Sequence, residues 1–271
     1  MERCLARGEL VIPLLPEVAL RVVRTAAGAD GNAETLADVV SADPALAAMV
    51  LKVAGSASLG PAAPIFSVQQ AIAWLGFDEV SSIAFTLALQ GQILEVSGQH
   101  HRIRRLWRHA LASGIWAKRL ALLLSRDPGI PYLCGLLHDV GRLAAFGAVQ
   151  DLARRAQVKL GPDGYDRLIE TFHHAIGIEV TKAWDLPAPV QVTAAQWQAH
   201  ALADAARFEC ALVRVAHRLA DATLRAPDPL AWDLISDDPA YLDLGLDAED
   251  AASILEHRAS VEAELDRYLT R

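Results

Sequence analysis

Apolar residues recur along this chain every three or four positions, which is the spacing of a helix that buries one face. After Asp78, for example, Val80, Ile83, Ala84 and Leu87 follow this spacing. Alanine is abundant throughout, and it has the lowest entropic cost of any residue in a helix. Runs of β-branched residues in strict alternation, which would indicate strands, are absent from the sequence. The pattern therefore predicts an all-α fold.

Capping residues mark where several of these helices begin. Asp43 stands directly before Pro44, so a carboxylate cap precedes the residue that the first helical position favours. Ser67 and Gln70 have the spacing of a capping box, and Gly76 is expected to end the helix that they open. Together with the apolar spacing, these signals predict helices over residues 45–54, 69–75, 103–124, 131–146, 149–160, 165–184, 189–201, 205–224 and 248–269.

Two polar stretches indicate how these helices are grouped. The first lies at 96–105, and the second, rich in Asp and Pro, lies at 226–247 and is typical of an irregular connection. We expect an N-terminal helical bundle over 1–97, a second bundle over 98–225 packed against it, and a C-terminal extension over 226–271. The last helix has alternating charges, which indicate a solvated outer face or, alternatively, a face that binds a partner.

The composition supports a folded chain with a large core. The 271 residues are 53% hydrophobic and 21% charged, whereas disordered chains are less hydrophobic and more charged. A membrane span needs roughly 20 nearly uninterrupted apolar residues, and no segment provides them. The beginning of the chain also lacks the order of a signal peptide. We therefore expect no membrane association.

Charge and cysteine content indicate the compartment and exclude one class of partner. The chain has 25 Lys and Arg against 33 Asp and Glu, a formal net charge of −8, and a binder of the nucleic-acid backbone would instead need a compensating basic stripe. Cys4, Cys134 and Cys210 lie far apart in the sequence, as expected of free thiols in a reducing compartment. We expect a cytoplasmic protein without a nucleic-acid partner; its oligomeric state is left open.

The segment most suggestive of chemistry is LLHDVGRLAAF at 136–146, in which His138 and Asp139 are adjacent within a predicted apolar helix. Burying an aspartate is costly unless it is paired or bound to a metal, so Asp139 needs a partner. Gly135 and Gly141 lie on either side of the pair and would let another helix approach closely. That helix could carry a further ligand.

His109 is a candidate for that ligand. It shares a helix arc with Leu106, Ala112 and Trp116, so its imidazole is expected either to be hydrogen-bonded in the core or to bind a metal. Seen together with His138 and Asp139, the two interpretations are about equally supported.

A histidine, then an HD pair, then a later acidic residue resembles the HD superfamily of metal-dependent phosphohydrolases. Further segments resemble its HDOD (HD-related output domain) branch and cover roughly residues 10–225: IPLLPEVALRVVRTA, VVSADPALAAMVLKVAGSASLG, IFSVQQAIAWLGFDEVSSIAFTLAL and HHAIGIEVTKAWDLPAPV. The resemblance implies an all-α module of bacterial signalling proteins that is regulatory rather than catalytic, with the second bundle a degenerate HD bundle.

The resemblance also implies a set of metal ligands. Where the hydrolytic relatives have their last ligand, an Asp, this chain has His217 in the segment VRVAHRL. The implied set is His109, His138, Asp139 and His217, and the implied cofactor is one divalent ion of iron, manganese, nickel or zinc, although the chain also fits a site without metal.

Two further residues are weaker candidates for metal binding. His174 lies in a stretch, HAIG, that matches the family. Asp221 lies one turn after His217, but a helical wheel places it near Arg214 and Arg218, which favours an exposed ion pair over a ligand.

Three hypotheses remain open. In the first, the chain is a non-catalytic signalling module that acts through binding a ligand or a signalling protein. In the second, it is a metal-dependent phosphohydrolase acting on a nucleotide or cyclic nucleotide, with Arg142 and Lys182 in contact with phosphate. Arg142 replaces the lysine of the HD-GYP hydrolases, and because arginine keeps its proton it can pair with phosphate but not exchange a proton. In the third, Asp139 is purely architectural and fixes how two helices meet.

Overall fold

The computed structural model describes residues 15–27, 32–56, 64–93, 100–225 and 235–269, together with Glu2 and Leu5. In these ranges every regular element is a helix and none is a strand, which confirms the all-α fold. Over the same ranges, no helix combines the length and apolar character needed to cross a membrane. The chain divides into two compact units, with residues 1–14 and 96–256 in unit 1 and residues 15–95 and 257–271 in unit 2.

Unit 2 is formed mainly by the N-terminal helices. They are α1 (Glu17–Ala27), α2 (Ala33–Ser41), α3 (Pro44–Ala54), α4 (Val68–Leu75) and α5 (Phe77–Ile93). Leu36, Val50 and Ile83 are fully buried in its core. The predicted series of helices omitted α1 and α2, although the N-cap of α2 is clear, since Asn32 accepts a hydrogen bond from the Thr35 N–H at 2.9 Å.

Both predicted caps in unit 2 are confirmed. The Asp43 carboxylate accepts hydrogen bonds from the N–H groups of Ala45 and Leu46, at 3.0 and 3.1 Å. The Ser67 hydroxyl accepts from the Gln70 N–H at 3.1 Å, and the Gln70 side chain accepts from the Ser67 N–H at 3.2 Å. Each cap satisfies N–H groups that the first turn of a helix leaves without partners, so neighbouring residues alone place these two helix starts.

Unit 1 is organised around one long helix, α6. Its helices are α6 (His100–Leu123), α7 (Gly129–Leu137), α8 (Val140–Arg155), α9 (Pro162–Ala183), α10 (Ala188–Gln196), a 3-10 helix (Trp197–Leu202), α11 (Arg207–Leu224), α12 (Pro239–Asp243) and the beginning of α13 (Ala248–Leu269). Helix α6 packs against α7 and α11. The buried Trp116 indole donates a hydrogen bond to the Thr223 hydroxyl at 2.9 Å, which fixes α6 against α11.

The predicted helix over 131–146 is wrong, because the chain breaks at the HD pair. Helix α7 ends at Leu137, and Asp139, with φ −110° and ψ 19°, stands at the start of α8. Helix α8 then continues to Arg155, so the separate helix predicted over 149–160 is also wrong. Apolar residues keep a helical spacing through the break, and the sequence pattern therefore could not reveal it.

The two glycines beside the HD pair do admit close neighbours, as predicted. A Cβ atom on Gly135 would lie 2.6 Å from the Ser113 carbonyl oxygen of α6. A Cβ atom on Gly141 would lie 1.9 Å from the His173 carbonyl oxygen and 2.9 Å from the Gly177 Cα atom of α9. Helix α7 therefore approaches the His109-bearing helix at Gly135, while α8 approaches α9 at Gly141.

Two expectations for the C-terminal part were wrong. The stretch 226–247 was predicted to be irregular but contains α12; residues 226–234 lie outside the described residues. The alternating charges of α13 predict a solvated face, yet one of these charged residues, Glu264, is only 2% exposed and lies 3.7 Å from Arg267. It shares its side of the helix with the buried Val261 and Tyr268, at three- and four-residue spacings that the alternating charges concealed.

Candidate metal centre

Three histidines from different helices meet in unit 1. His109 lies on α6, His138 directly follows α7 and His217 lies on α11. One ring nitrogen from each lies within 4.8 Å of the others. The ring centre of His109 is 5.9 Å from that of His138 and 4.5 Å from that of His217. We call these residues the histidine cluster.

Hydrogen bonds fix the orientation of two of these rings. The His138 Nδ1 atom lies 2.7 Å from the Gly135 carbonyl oxygen, and its Nε2 atom lies 3.0 Å from Nδ1 of His217. A carbonyl oxygen can only accept, so a neutral His138 donates from Nδ1 and presents a lone pair at Nε2. This is the arrangement in which metal-binding histidines are commonly held, with the other ring nitrogen donating to a carbonyl group.

Asp139 lies beside the histidine cluster with one oxygen engaged and one without a partner. Its Oδ2 atom is 3.6 Å from Nε2 of His138 and 3.4 Å from Nε of Arg142. The Oδ1 atom is buried and has no hydrogen-bond partner among the described residues. Arg142 also pairs with Glu170 on α9. A buried carboxylate oxygen left without a partner is costly, so Oδ1 is suited to accept a ligand.

Asp221 lies closer to the cluster than the helical wheel indicated. Its Oδ1 atom is 3.3 Å from Nε2 of His109, and its Oδ2 atom is 3.6 Å from Arg225. The expected neighbours, Arg214 and Arg218, instead pair with Asp238. The Asp221 side chain is 40% exposed and pairs with Arg225, so the helical wheel was wrong about which arginines surround it.

The structure does not bring His174 or Lys182 into this site. The His174 Nε2 atom lies 3.2 Å from the Gln198 side-chain oxygen, and its ring contacts that of His173. His174 is not part of the group of metal-capable side chains found among the described residues. Lys182 lies 4.0 Å from Glu179 on the same helix. Of the two residues expected to contact phosphate, only Arg142 lines the cleft described next.

A cleft of about 870 Å³ opens over the histidine cluster, entirely within unit 1. Most of its polar lining comes from α6, α8 and α11. The lining residues are His101, Arg104, Arg105, Leu106, Arg108, His109, Asp139, Arg142, Trp197, Gln198, His217, Asp221, Leu224 and Arg225. Arg104, Arg105 and Arg108 of α6 were not among the predicted site residues, although their three- and four-residue spacing places them on one side of the helix.

The segments that resemble the HDOD branch in sequence lie within the part of the chain that matches a family model. Residues 12–200 match the model of the HDOD domain family, which is most of the chain. The chain belongs to the HDOD family. No curated protein matches it.

Solved structures share the fold of this HDOD protein over nearly its whole length. An HDOD domain protein of unknown function from Geobacter sulfurreducens is 24% identical with a TM-score of 0.74, covering 97% of this chain and 96% of its own. A protein from Shewanella amazonensis SB2B, provisionally named a metal-dependent phosphohydrolase, is 22% identical with a TM-score of 0.72 over 97% and 96%. One from Marinobacter aquaeolei VT8, provisionally named a signal transduction protein, is 24% identical with a TM-score of 0.71 over 99% of this chain and 61% of its own.

Burial and neighbouring charges set the protonation states of the site of this HDOD protein. Burial, followed by the rings of His138 and His109, lowers the pKa of His217 to about 3. Burial also lowers the pKa of His138. Burial opposes ionisation of Asp139, but attraction to His138 and Arg142 outweighs it, and the pKa of Asp139 is lowered. At neutral pH both rings are therefore unprotonated and Asp139 is a carboxylate, the protonation states that metal ligands require.

Trp197 is a further residue of the site that was not among the predicted site residues. Its ring lies 4.4 Å from that of His217 and 5.1 Å from that of His138. Its indole N–H is buried without a hydrogen-bond partner among the described residues. An apolar ring with one hydrogen-bond donor thus packs against the histidine cluster.

Proposed function

We propose that this HDOD chain is a regulatory module of signal transduction, which binds a ligand in the unit 1 cleft without hydrolysing it and acts on a protein partner. A regulatory role fits the family and the provisional name of the Marinobacter relative. The proposal concerns binding because the cleft has a well-defined buried floor but lacks groups that hydrolysis would need.

The observation that carries the proposal is the small number of carboxylates beside the histidine cluster. Of the two that line the cleft, Asp139 is the buried one, and it lies 3.4 Å from Arg142. Two-metal hydrolysis needs carboxylates that bridge the ions, and His217 stands where the hydrolytic relatives have one.

A single divalent ion fits this donor set. His109, His138 and His217 would hold it, and Asp139 would offer its unpartnered Oδ1 atom. Imidazole nitrogens suit zinc, iron and nickel, while manganese prefers oxygen ligands. When bound, the ion would supply a Lewis-acidic positive charge at the floor of the cleft.

Elemental analysis of freshly purified protein tests the metal. We expect about one divalent ion per chain, as for a mononuclear site, and its loss in His109→Gln. His100→Gln is the matched control, because this exposed histidine lies on the same helix outside the cleft lining. Far-UV circular dichroism would show that both variants keep their helices. A chain that stays metal-free after incubation with iron, manganese, nickel or zinc would remove the metal from the proposal.

Turnover tests the absence of hydrolysis. Protein loaded with each of the four metals is incubated with nucleotides and cyclic nucleotides, and we expect no more hydrolysis than in protein-free controls. Metal-dependent turnover that disappears in Asp139→Asn would overturn the proposal.

The second candidate is a mononuclear phosphohydrolase, favoured by the Asp221 carboxylate at 3.3 Å from His109. This candidate requires turnover that is lost in Asp221→Asn while metal content persists. The regulatory proposal expects no turnover in either protein, so one set of assays separates the two functions.

A further inference from the structure

Three arginines on one side of α6 line the cleft without an ion-pair partner in the described part of the chain. Arg104, Arg105 and Arg108 are exposed along its wall, and none forms an ion pair or hydrogen bond with any residue that the structure describes. By contrast, Arg102 on the same helix pairs with Asp166. We call Arg104, Arg105 and Arg108 the α6 arginine triad.

The charge of the cleft is opposite to that of the molecule. Five arginines and two aspartates line it, which leaves an excess of three positive charges when its histidines are neutral, although the whole chain has a formal charge of −8. Arg142 and Arg225 face the two aspartates. The α6 arginine triad therefore supplies the three excess positive charges. Within it, Arg104 and Arg108 are four residues apart on the helix, where like charges repel.

The dimensions of the cleft favour a small ligand. Its volume of about 870 Å³ lies within the range of small-molecule sites, about 300–1,000 Å³. Trp197 contributes a second, independent feature, because its side chain lines the cleft, is 6% exposed and has an indole N–H without a hydrogen-bond partner among the described residues. This unsatisfied donor, like the triad, is suited to an anionic oxygen acceptor.

We propose that the cleft binds a small molecule bearing at least two phosphate groups, and that the α6 arginine triad pairs with its phosphate oxygens. The inference rests on the proposed function, since it names the chemical class of the ligand that the regulatory cleft takes. Guanidinium groups match phosphate geometry through paired hydrogen bonds. A ligand with several phosphate oxygens can engage more than one arginine and relieve their mutual repulsion.

Calorimetric titration of the full chain tests this site. The probes are inorganic tripolyphosphate, ATP and adenosine, each added to metal-chelated protein so that the metal does not contribute. We expect tripolyphosphate and ATP to bind, adenosine not to bind, and binding to weaken as salt is added. Equal affinity for tripolyphosphate and ATP would indicate that phosphate alone is recognised, and tighter binding of ATP would indicate a nucleotide.

The decisive variant is Arg104→Gln with Arg108→Gln. The matched control is Arg154→Gln with Arg155→Gln, which removes the same two charges from an exposed part of α8 outside the cleft lining. We expect the first pair to weaken binding by about tenfold or more and the control pair to change it by less than about twofold. The protein with Arg104→Gln and Arg108→Gln should melt no lower than the wild type, because neither arginine forms an ion pair with a described residue.

Three results would overturn the inference. In the first, neither tripolyphosphate nor ATP binds. In the second, the double variant of the triad and the control double variant weaken binding of these probes equally. In the third, a short single-stranded oligonucleotide binds more tightly than either probe. Each is distinct from failure of the proposed function. If the metal-loaded protein hydrolyses a nucleotide, the regulatory proposal fails but the anion site stands. If the metal-loaded protein hydrolyses nothing and the metal-chelated protein binds neither tripolyphosphate nor ATP, only the anion site fails.

Discussion

Asp139 is a negative charge held in a largely buried place by two positive or polar neighbours. Its side chain is 11% exposed, and one oxygen lies within 3.6 Å of His138 and 3.4 Å of Arg142. The other oxygen has no hydrogen-bond partner in the described part of the chain. The same residue can thus stabilise the junction of α7 and α8 and keep one oxygen available to a ligand.

Removing this carboxylate should destabilise the protein. In Asp139→Ala, Arg142 loses one of its two carboxylate partners and keeps only Glu170. We expect the free energy of unfolding to fall by about 3–5 kcal/mol, as for a broken buried ion pair, measured by urea denaturation. Asp151→Ala is the control on α8, since its pairs with Arg154 and Arg155 lie at the surface. An equally small loss in both variants would exclude a structural role for Asp139.

At the scale of elements, close backbone contact brings the cluster together. Gly135 lets α7 lie against α6 beside Ser113, one turn after His109, and Gly141 lets α8 lie against α9. Both glycines flank the break at the HD pair. The break itself turns the chain between these two contacts, so the position of Asp139 depends on both.

A single methyl group at Gly141 should disturb this packing. In Gly141→Ala the new Cβ atom would lie 1.9 Å from the His173 carbonyl oxygen, which is backbone and cannot move aside without displacing α9. We expect a substantial drop in melting temperature or failure to fold, measured by thermal circular dichroism.

Gly147→Ala is the control for this prediction, because it lies in the same helix and its Cβ atom would meet nothing within 4 Å. Alanine is favoured over glycine inside a helix by about 1 kcal/mol, so this variant should be as stable as the wild type or more so. Similar melting temperatures for the two variants would show that α8 and α9 do not depend on Gly141.

At the scale of the whole molecule, an ion pair between residues distant in sequence ties the segment after α11 back to α11 within unit 1. The buried carboxylate of Asp238 pairs with Arg214 at 2.8 Å and Arg218 at 2.7 Å, and it also caps α12 by accepting from the Ala240 N–H at 3.0 Å. Burial opposes its ionisation, but the bonds to Arg214 and Ala240 prevail, and the pKa of Asp238 is lowered.

This lowered pKa predicts a pH-dependent contribution to stability. The folded state favours the ionised carboxyl, so the stabilisation is present above the unfolded pKa of about 4 and is lost as pH falls through the lower folded value. We expect Asp238→Asn, which can still cap α12, to reduce stability by about 3 kcal/mol at pH 7 and by less at pH 3, which lies below the unfolded pKa. Thermal unfolding at both pH values measures this, with the exposed neighbour variant Asp237→Asn as control. A penalty that does not depend on pH would show that the charge is not responsible.

Much of the helical architecture was predictable because it depends on neighbouring residues. The caps at Asp43 and Ser67 act within three residues, and the apolar spacing repeats within one or two turns. The break at His138 was not predictable, because the apolar spacing continues across it without interruption. The contacts on either side of the break, of Gly135 with α6 and of Gly141 with α9, involve helices distant in the sequence. The partner of Asp221 was missed for a related reason, since a helical wheel shows one helix and His109 lies on another.

From its own residues the sequence determined an all-α protein, its helix caps and the unusual HD pair, since each follows from interactions over a few positions. Only the tertiary structure decided that His109, His138 and His217 meet, although His138 and His217 are 79 positions apart. It alone also gathered five arginines around one cleft: Arg104, Arg105, Arg108, Arg142 and Arg225. The physical reason is that such convergence depends on which helix faces pack together, and packing is set by the shapes and burial of side chains from the whole unit.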